Sequence, residues 1–307
     1  MSLPRSLLGR RSHIVWRDYL FARSVGEAVE LLARHEGKAR LIAGGTDLVL
    51  QCQRGECSAE VLVDVTRIPG MARIEEQDGS ILLGAAVTHT QAASSALLRL
   101  KAPLLSEACH VIGGPQVRNL GTLAGNLVAA LPAADASLAL VALDGEAEIA
   151  SPEGRRWVPL SDFHTGVGLC RLDPTREVMT TLRFRAFGPE YRAAQERLAR
   201  RKVHALPIMN VAVLAAVREG RFADVRIVVA PVAPTPLRLR RCEELLEGRE
   251  ATPEAIREAA DLAVSLVHPR DSLLRGSGEY RQALAGVMVR RALERVAGIA
   301  PADRAAA

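Results

Sequence analysis

The sequence predicts a chain of mixed helices and strands folded as two or three packed units, and three observations carry that expectation. Its 307 residues exceed what one hydrophobic core usually serves. Short apolar runs alternate with helical segments as far as Arg185, and a Gly188-Pro189 pair then punctuates the chain. Beyond that pair, two strong strands precede three helices.

Taken in order, Met1 to Trp16 is basic and without periodicity, which reads as a loose arm. Ser24-Val25-Gly26-Glu27 is a capping box. Val25, Ala28, Val29 and Leu32 follow at helical spacing, and Gly37 lies just past the end. Ala39 to Ala43 is a short buried strand that runs into Gly44-Gly45-Thr46-Asp47, after which Leu48 to Arg54 is helical. Val61 to Val65 is a strand. Ala72 to Glu75 and Ser80 to Leu83 form a hairpin through Asp78-Gly79. Two short helices, Thr90 to Leu98 and Pro103 to Val111, lead to a long glycine-rich stretch. A second hairpin joins Ala147 to Ala150 with Trp157-Val158 across Pro152-Glu153-Gly154, and Glu177 to Arg185 is a strand. After the Gly188-Pro189 boundary, the basic stretch from Glu190 to Lys202 reads as helical. The strands Val211 to Arg218 and Val225 to Ala230 turn at Glu219-Gly220. Helices over Arg240 to Glu247, Pro253 to Leu266 (N-cap Thr252) and Glu279 to Ala297 complete the chain.

Composition narrows the function. Hydrophobic residues make up 49% of the chain but aromatics only 3%, so the base-stacking platforms of single-strand nucleic-acid binders are not supported. The net charge of +5 and pI of about 9.2 come from scattered arginines, which read as a solvated surface. Five cysteines, Cys52, Cys57, Cys109, Cys170 and Cys242, contain no CxxC pair, so neither a disulfide framework nor a zinc or iron–sulfur site follows. The seven histidines have no ligand-like neighbours and read as structural or surface groups. No Ser/His/Asp set is evident from spacing. There is no secretory signal and no apolar run long enough to span a bilayer, which leads to the expectation of a soluble, cytoplasmic protein.

Two glycine turns carry the chemistry. Gly44-Gly45-Thr46-Asp47 lies between a strand and a helix start, where free N–H groups point outward. It is not the GxGxxG dinucleotide fingerprint of doubly wound folds. The second runs from Gly113-Gly114-Pro115 through Gly121-Thr122-Leu123-Ala124-Gly125-Asn126 and offers backbone, hydroxyl and amide groups together. Neither Ala43 to Asp47 nor Thr122 to Asn126 contains Lys or Arg, so a phosphate ester there would be held by backbone N–H groups and by Thr46, Thr122 and Asn126. Downstream, Asp135 is the single ionisable group of an apolar stretch. It either caps the helix after Pro132 or contacts a ligand, and Asp47 poses the same choice for its own helix.

Read together, Leu41 to Leu48, Val61 to Val65 and Ile112 to Asn126, with Gly276-Ser277-Gly278-Glu279-Tyr280-Arg281 and Ala285 to Ala292 near the end, resemble the FAD-binding medium subunit of the molybdenum hydroxylases. That family includes the carbon monoxide dehydrogenase medium chain and the flavin domain of xanthine dehydrogenase, and the similarity runs from Asp18 to about Val296. The resemblance implies an α+β fold of the vanillyl-alcohol-oxidase (PCMH) type. Residues 1–188 would bind FAD in two α+β subdomains, about 1–58 and 59–188, and 189–307 would form a small antiparallel sheet with helices.

By the same resemblance, FAD is held by Leu41, Ile42, Ala43, Gly44, Gly45, Thr46, Asp47 and Leu48 at the first turn, and by Gly121, Thr122, Leu123, Ala124, Gly125 and Asn126 at the second. Ile112 lies along the cofactor, Asp135 accepts from a cofactor hydroxyl and Met179 packs near a ring. Arg197 falls where relatives usually have Lys at the flavin edge, which keeps the charge but changes the hydrogen-bond geometry. Gln195 stands where some relatives carry an aromatic gate. No catalytic residue and no metal ligand is expected in the chain itself. The implied function is an oxidoreductase subunit that passes electrons from the [2Fe–2S] clusters of a small subunit through FAD to NAD, a quinone, oxygen or another acceptor. A large molybdopterin subunit oxidises the substrate, and the assembly is a dimer of heterotrimers. The alternatives are a self-contained flavoprotein oxidoreductase of the same fold and a scaffold subunit that has lost FAD.

Overall fold

The computed structural model describes residues 16–201 and 204–299, so the expected N-terminal arm up to residue 15 lies outside the described residues. The first unit is a three-stranded parallel sheet with two helices. β1 (Asp18–Phe21), α1 (Val25–Arg34), β2 (Ala39–Ile42), α2 (Leu48–Arg54) and β3 (Val61–Asp64) follow one another, and the sheet order is β1-β3-β2. Ser24 caps α1 by accepting from the Glu27 amide at 3.0 Å, as the capping box requires. β3 is the central strand, because its four residues are all buried. The sheet of this unit therefore extends past residue 58.

The second unit is a five-stranded sheet with a string of short helices inserted. β4 (Ile74–Gln77) and β5 (Ser80–Gly84) make the first hairpin, with Asp78 and Gly79 at φ 50° and 72°. α3 (His89–Ser94), α4 (Ala96–Lys101), α5 (Pro103–His110), α6 (Pro115–Leu120), α7 (Leu123–Val128) and α8 (Asp135–Ala142) follow. The single helix expected over Thr90 to Leu98 is thus two, because Ser95 turns extended and caps α4 from its side chain. β6 (Glu146–Ser151), β7 (Gly154–Pro159), α9 (Leu160–Phe163), β8 (His164–Gly166), β9 (Leu169–Cys170) and β10 (Val178–Arg185) close the unit. The sheet order is β4-β5-β10-β6-β7, so β10 returns to the middle between the two hairpins.

The third unit begins beyond Gly188-Pro189. β11 (Tyr191–Ala199), β12 (Pro207–Arg218), β13 (Arg221–Ala230) and β14 (Leu237–Arg238) form an antiparallel sheet, followed by α10 (Arg240–Leu246), α11 (Pro253–Leu266) and α12 (Gly278–Ala297). The stretch expected to be helical from Glu190 is therefore an edge strand. Pairing with β12 buries Ala194 completely, and that tertiary contact outweighs the helix-favouring Ala, Gln, Glu, Arg composition.

The β11–β14 sheet is covered on both faces. Val211, Val213, Ile227 and Val229 face the core beneath α11 and α12, while Ala212, Leu214, Val228 and Ala230 join the core of the second unit. α8 is the element that meets them there, and all eight of its residues are buried. Its two ends are fixed to that sheet by ion pairs. Asp144, just past the helix, accepts from Arg226 Nε at 2.5 Å and from Arg238, and Asp135 at the start accepts from Arg197 Nε at 2.8 Å.

Candidate cofactor site

The two glycine turns, far apart in sequence, touch in the fold. Gly44 lies so close to the Leu120–Gly121 peptide that a Cβ there would sit 1.9 Å from the Leu120 carbonyl oxygen and 3.0 Å from the Gly121 nitrogen. No residue with a side chain fits at that crossing. Gly45, at φ 66°, makes the sharp bend into α2 over the side chains of Ile42 and Val49. Leu41 and Ile42 bring the chain in on β2, Ala43 to Asp47 form the turn, and Leu48 opens α2. Asp47 occupies the N-cap position of α2 without a capping hydrogen bond, which leaves its carboxylate available.

The second turn is built by local hydrogen bonds. Thr122 caps α7, its Oγ1 accepting from the Gly125 amide at 3.0 Å. The peptide before it is held from below, where His89 N donates to Gly121 O and Leu123 N to Val87 O, both at 3.0 Å. Leu123 and Ala124 are buried and anchor the helix, Gly125 is exposed, and Asn126 is half-buried. Asn126 Oδ1 accepts from Ser137 Oγ at 3.2 Å, which ties this turn to α8 and leaves its amide nitrogen without a partner.

These turns suit a diphosphate. The amides of Gly44, Gly45, Thr46, Thr122 and Ala124 make no hydrogen bond to another described residue, and Gly44 touches the Leu120–Gly121 peptide that leads into Thr122. A row of unpaired donors with no cation attracts an anion that can approach the backbone closely. FAD carries such a group, and the residues present fit it.

His89 was not picked out from the sequence. It is 3% exposed, its ring packs against Gly121, and its Nδ1 has no partner. Burial, with the charge of Arg118 adding to it, lowers its pKa to about 4, so the imidazole is neutral. The signal that could have found it is the capping box Thr88 to Gln91, which sets this helix start directly under the turn.

A second constellation gathers at the start of α8. The N-cap is Ala134 and Asp135 is the first helical residue, without a capping hydrogen bond, so the capping alternative for Asp135 is not realised. Its carboxylate, 4% exposed, instead accepts from Arg197 Nε at 2.8 Å and from Asn210 Nδ2 at 2.7 Å. Asn210 in turn accepts from Gln195 Nε2 at 3.0 Å, and Arg197 donates to Ala205 O at 2.6 Å. Burial raises the Asp135 carboxyl above its ordinary range, an effect opposed by Arg197 and Asn210. Gln195 and Arg197 also line a cavity of about 500 Å³ with Ala93, Arg99, Glu107 and His110. Asn210 also went unnoticed in the sequence, although an amide between the apolar residues Met209 and Val211 of a buried strand marks a residue that needs a partner.

Ile112 and Met179 are placed differently. Ile112 follows α5, half-buried, its carbonyl accepting from Arg118 Nη1 at 3.0 Å just before the Gly113-Gly114 bend. Met179 is buried in β10 opposite Ile149 of β6. Among the described residues there is no cluster of His, Cys, Asp or Glu that could hold a metal, and no helix long and apolar enough to cross a membrane.

Two turns without Lys or Arg, one from each of the first two units, meet at the Gly44 crossing with their amides unpaired, an arrangement that fits the FAD-binding unit of a molybdopterin dehydrogenase. Residues 13–184 match the family model for the FAD binding domain in molybdopterin dehydrogenase, and residues 195–296 match that for the CO dehydrogenase flavoprotein C-terminal domain. The carbon monoxide dehydrogenase medium chain of Hydrogenophaga pseudoflava is 35% identical over 276 residues, 90% of this chain and 95% of that one. The xanthine dehydrogenase FAD-binding subunit of Escherichia coli O157:H7 is 29% identical over 278 residues, 90% and 94% of the two chains. A solved structure of the Hydrogenophaga carbon monoxide dehydrogenase lacking the Mo-pyranopterin moiety superposes with a TM-score of 0.86 at 34% identity, covering 92% of this chain and 97% of that one. The chain belongs to the family of FAD-binding medium subunits of the molybdenum hydroxylases. It is accordingly an oxidoreductase component whose cofactor is FAD.

Proposed function

We propose that this subunit takes electrons from the [2Fe–2S] clusters of a small partner subunit and delivers them through FAD to an external acceptor such as NAD, a quinone or oxygen. Substrate oxidation takes place on a large molybdopterin subunit. The assembly is a cytoplasmic dimer of heterotrimers, and the chain divides near residue 188 into the FAD-binding part and the C-terminal part. The observation that carries the reading is the contact between Gly44 and the Leu120–Gly121 peptide, at which two turns with unpaired amides meet.

When bound, FAD supplies a carrier able to exchange both single electrons and electron pairs. The chain's own residues position it. The amides of Gly44 to Thr46 and of Thr122 and Ala124 would hold the diphosphate, with Thr46, Asp47 and Asn126 at its edges. Leu41, Ile42, Ala43 and Leu48 wall the first turn, Gly121, Leu123 and Gly125 the second, and Ile112 and Met179 would pack beside the rings. Asp135 and Arg197 form a neutral pair beside the cavity that Gln195 helps to line. Because Oδ1 already accepts from Arg197 Nε and Asn210 Nδ2, Oδ2, which Arg197 meets only at 3.4 Å, is the atom of Asp135 that would accept from a cofactor hydroxyl.

Purification of the full chain tests the reading. The expected product is yellow, with one FAD per chain. Its flavin stays oxidised when the isolated chain meets carbon monoxide or xanthine, and is reduced once the iron–sulfur and molybdopterin subunits are added with the proper substrate. A chain that takes up no FAD, or whose flavin is reduced directly by the organic substrate, refutes it.

A further inference from the structure

The far end of α2 brings two thiols together. Cys52 stands in the last turn of that helix, 1% exposed, and Cys57 lies beyond it, partly buried. A glycine makes the meeting possible. Gly55 sits at φ 73° with open space around it, and the chain reverses there through two backbone hydrogen bonds, Gly55 N to Cys52 O at 3.1 Å and Glu56 N to Gln51 O at 2.9 Å. Cys57 N also reaches Gln51 O, at 3.3 Å, so the residue after the reversal is turned back toward the helix it has just left. Both side chains pack into one small apolar cluster with Ile42, Ala59 and Leu62.

The two sulfurs act on each other. Burial pushes the Cys52 thiol up to about 11, and Cys57 adds to the rise by its charge and by a hydrogen bond between the two side chains. Arg40 opposes that rise, so a cation also lies close enough to favour a thiolate in the pair. Among the described residues no other cysteine has a sulfur for a neighbour. Asp135 acts on Cys109, Cys170 Sγ donates to Leu172 O, and Cys242 Sγ donates to Ala259 O. All five are free thiols, so the pair stands here in its reduced form.

We propose that Cys52 and Cys57 form a modification site, a dithiol that hydrogen peroxide converts to an intramolecular disulfide. This goes beyond the proposed function and does not rest on it. Cys57 is the attacking group, because it is the one that solvent reaches. Its thiolate sulfur bonds to one peroxide oxygen as the O–O bond breaks, and the other oxygen leaves as hydroxide and takes up the proton that Cys57 released. Cys57 is then a sulfenic acid. Cys52 resolves it: its sulfur attacks that of Cys57, the S–S bond forms as the S–O bond breaks, and the Cys52 proton leaves with the hydroxide as water. The two sulfurs have together lost an electron pair to the peroxide, which ends as water. The second thiol is already in place when the first is oxidised, so resolution needs no loop closure. The spacing is not that of CxxC, and the reversal at Gly55 is what reveals the pair.

Treatment of the full chain with hydrogen peroxide, followed by alkylation in denaturant and digestion with trypsin, tests the site. Trypsin cuts after Arg54, between the two cysteines, so a disulfide joins the peptides Leu41–Arg54 and Gly55–Arg67 in one species that separates on reduction. That linked species is the expected product, with the thiol count falling by two from the five of the untreated chain. Cys57→Ser, a change at a partly exposed position, is expected to give no link. In Cys52→Ala the reaction is expected to stop at a Cys57 sulfenic acid, which dimedone traps. Should the buried Cys52→Ala change prevent folding, phenylarsine oxide, which bridges neighbouring thiols, replaces it: the arsenical is expected to bind the wild type, to block the link, and to leave Cys57→Ser unmodified. A wild-type chain that keeps all five thiols overturns the proposal. So does one whose Cys57 passes to sulfinic acid without the link, or one that links either cysteine to Cys109, Cys170, Cys242 or a second chain.

Discussion

Replacing Gly44 with alanine probes the crossing of the two turns directly. The new methyl group would meet the Leu120 carbonyl oxygen at 1.9 Å and its carbon at 2.5 Å. Carbon and oxygen approach to about 3.3 Å in close contacts, so the turns must part by roughly 1.4 Å. The obstacle is backbone, so no rotamer relieves it, and overpacking of this kind costs about 1–3 kcal/mol. If one diphosphate bridges both turns, the cost appears in cofactor affinity at about tenfold per 1.4 kcal/mol. The measurement is a fluorescence titration of apo-protein with FAD alongside a thermal melt. Gly26→Ala is the control, because its methyl group meets only Ser24 Oγ at 3.8 Å inside α1, where alanine adds up to about 1 kcal/mol of helix stability. A Gly44→Ala protein that titrates with FAD at the wild-type Kd would show that the crossing does not seat the cofactor.

Two further outcomes concern buried charge. Arg197→Ala leaves Asp135 buried without its cation and is expected to cost about 3–5 kcal/mol in denaturant unfolding, whereas the double variant Asp135→Asn/Arg197→Met costs much less; equal losses would show that the pair is not a unit. His89 ties stability to pH. With its pKa lowered to about 4 in the fold, it takes up a proton in the unfolded chain first, so stability falls as pH drops from about 6.5 toward 4, by roughly 2–4 kcal/mol. His164, lowered by burial, acts in the same direction, so the His89 share is read as the difference in slope between wild type and His89→Gln, and identical slopes refute it.

Local signals made much of this fold legible. Asp78-Gly79 and Glu219-Gly220 announce turns that need positive φ, and the structure has all four residues there. Ser24, Thr252 and Ser277 each accept from an amide three residues on, so the helix starts follow from cap chemistry. The stretch after Glu190 misled because an edge strand rich in Arg, Gln, Glu and Ala has no local mark of its own, and only its pairing with β12 makes it a strand.

From spacing alone the site was legible as two separate anion cradles, which the family resemblance joined on one FAD. Their contact rests on glycines, which have no side chain to signal a partner, so nothing in the spacing of Gly44 and Leu120 reveals it. Asp135 was visible as a lone carboxylate among apolar residues, but its ties to Arg197 and Asn210 depend on the third unit folding back over α8.

The fastening of α8 at both ends bears on how members of this family can be recombined. Asp135 and Asp144 belong to the first 188 residues, while Arg197, Asn210, Arg226 and Arg238 belong to the remainder. A chimera that joined the front of this chain to another subunit's C-terminal half would inherit two acidic sockets shaped for these four side chains. A mismatch at Asp135 is expected to weigh most, because that carboxylate is buried and would be left without its partners.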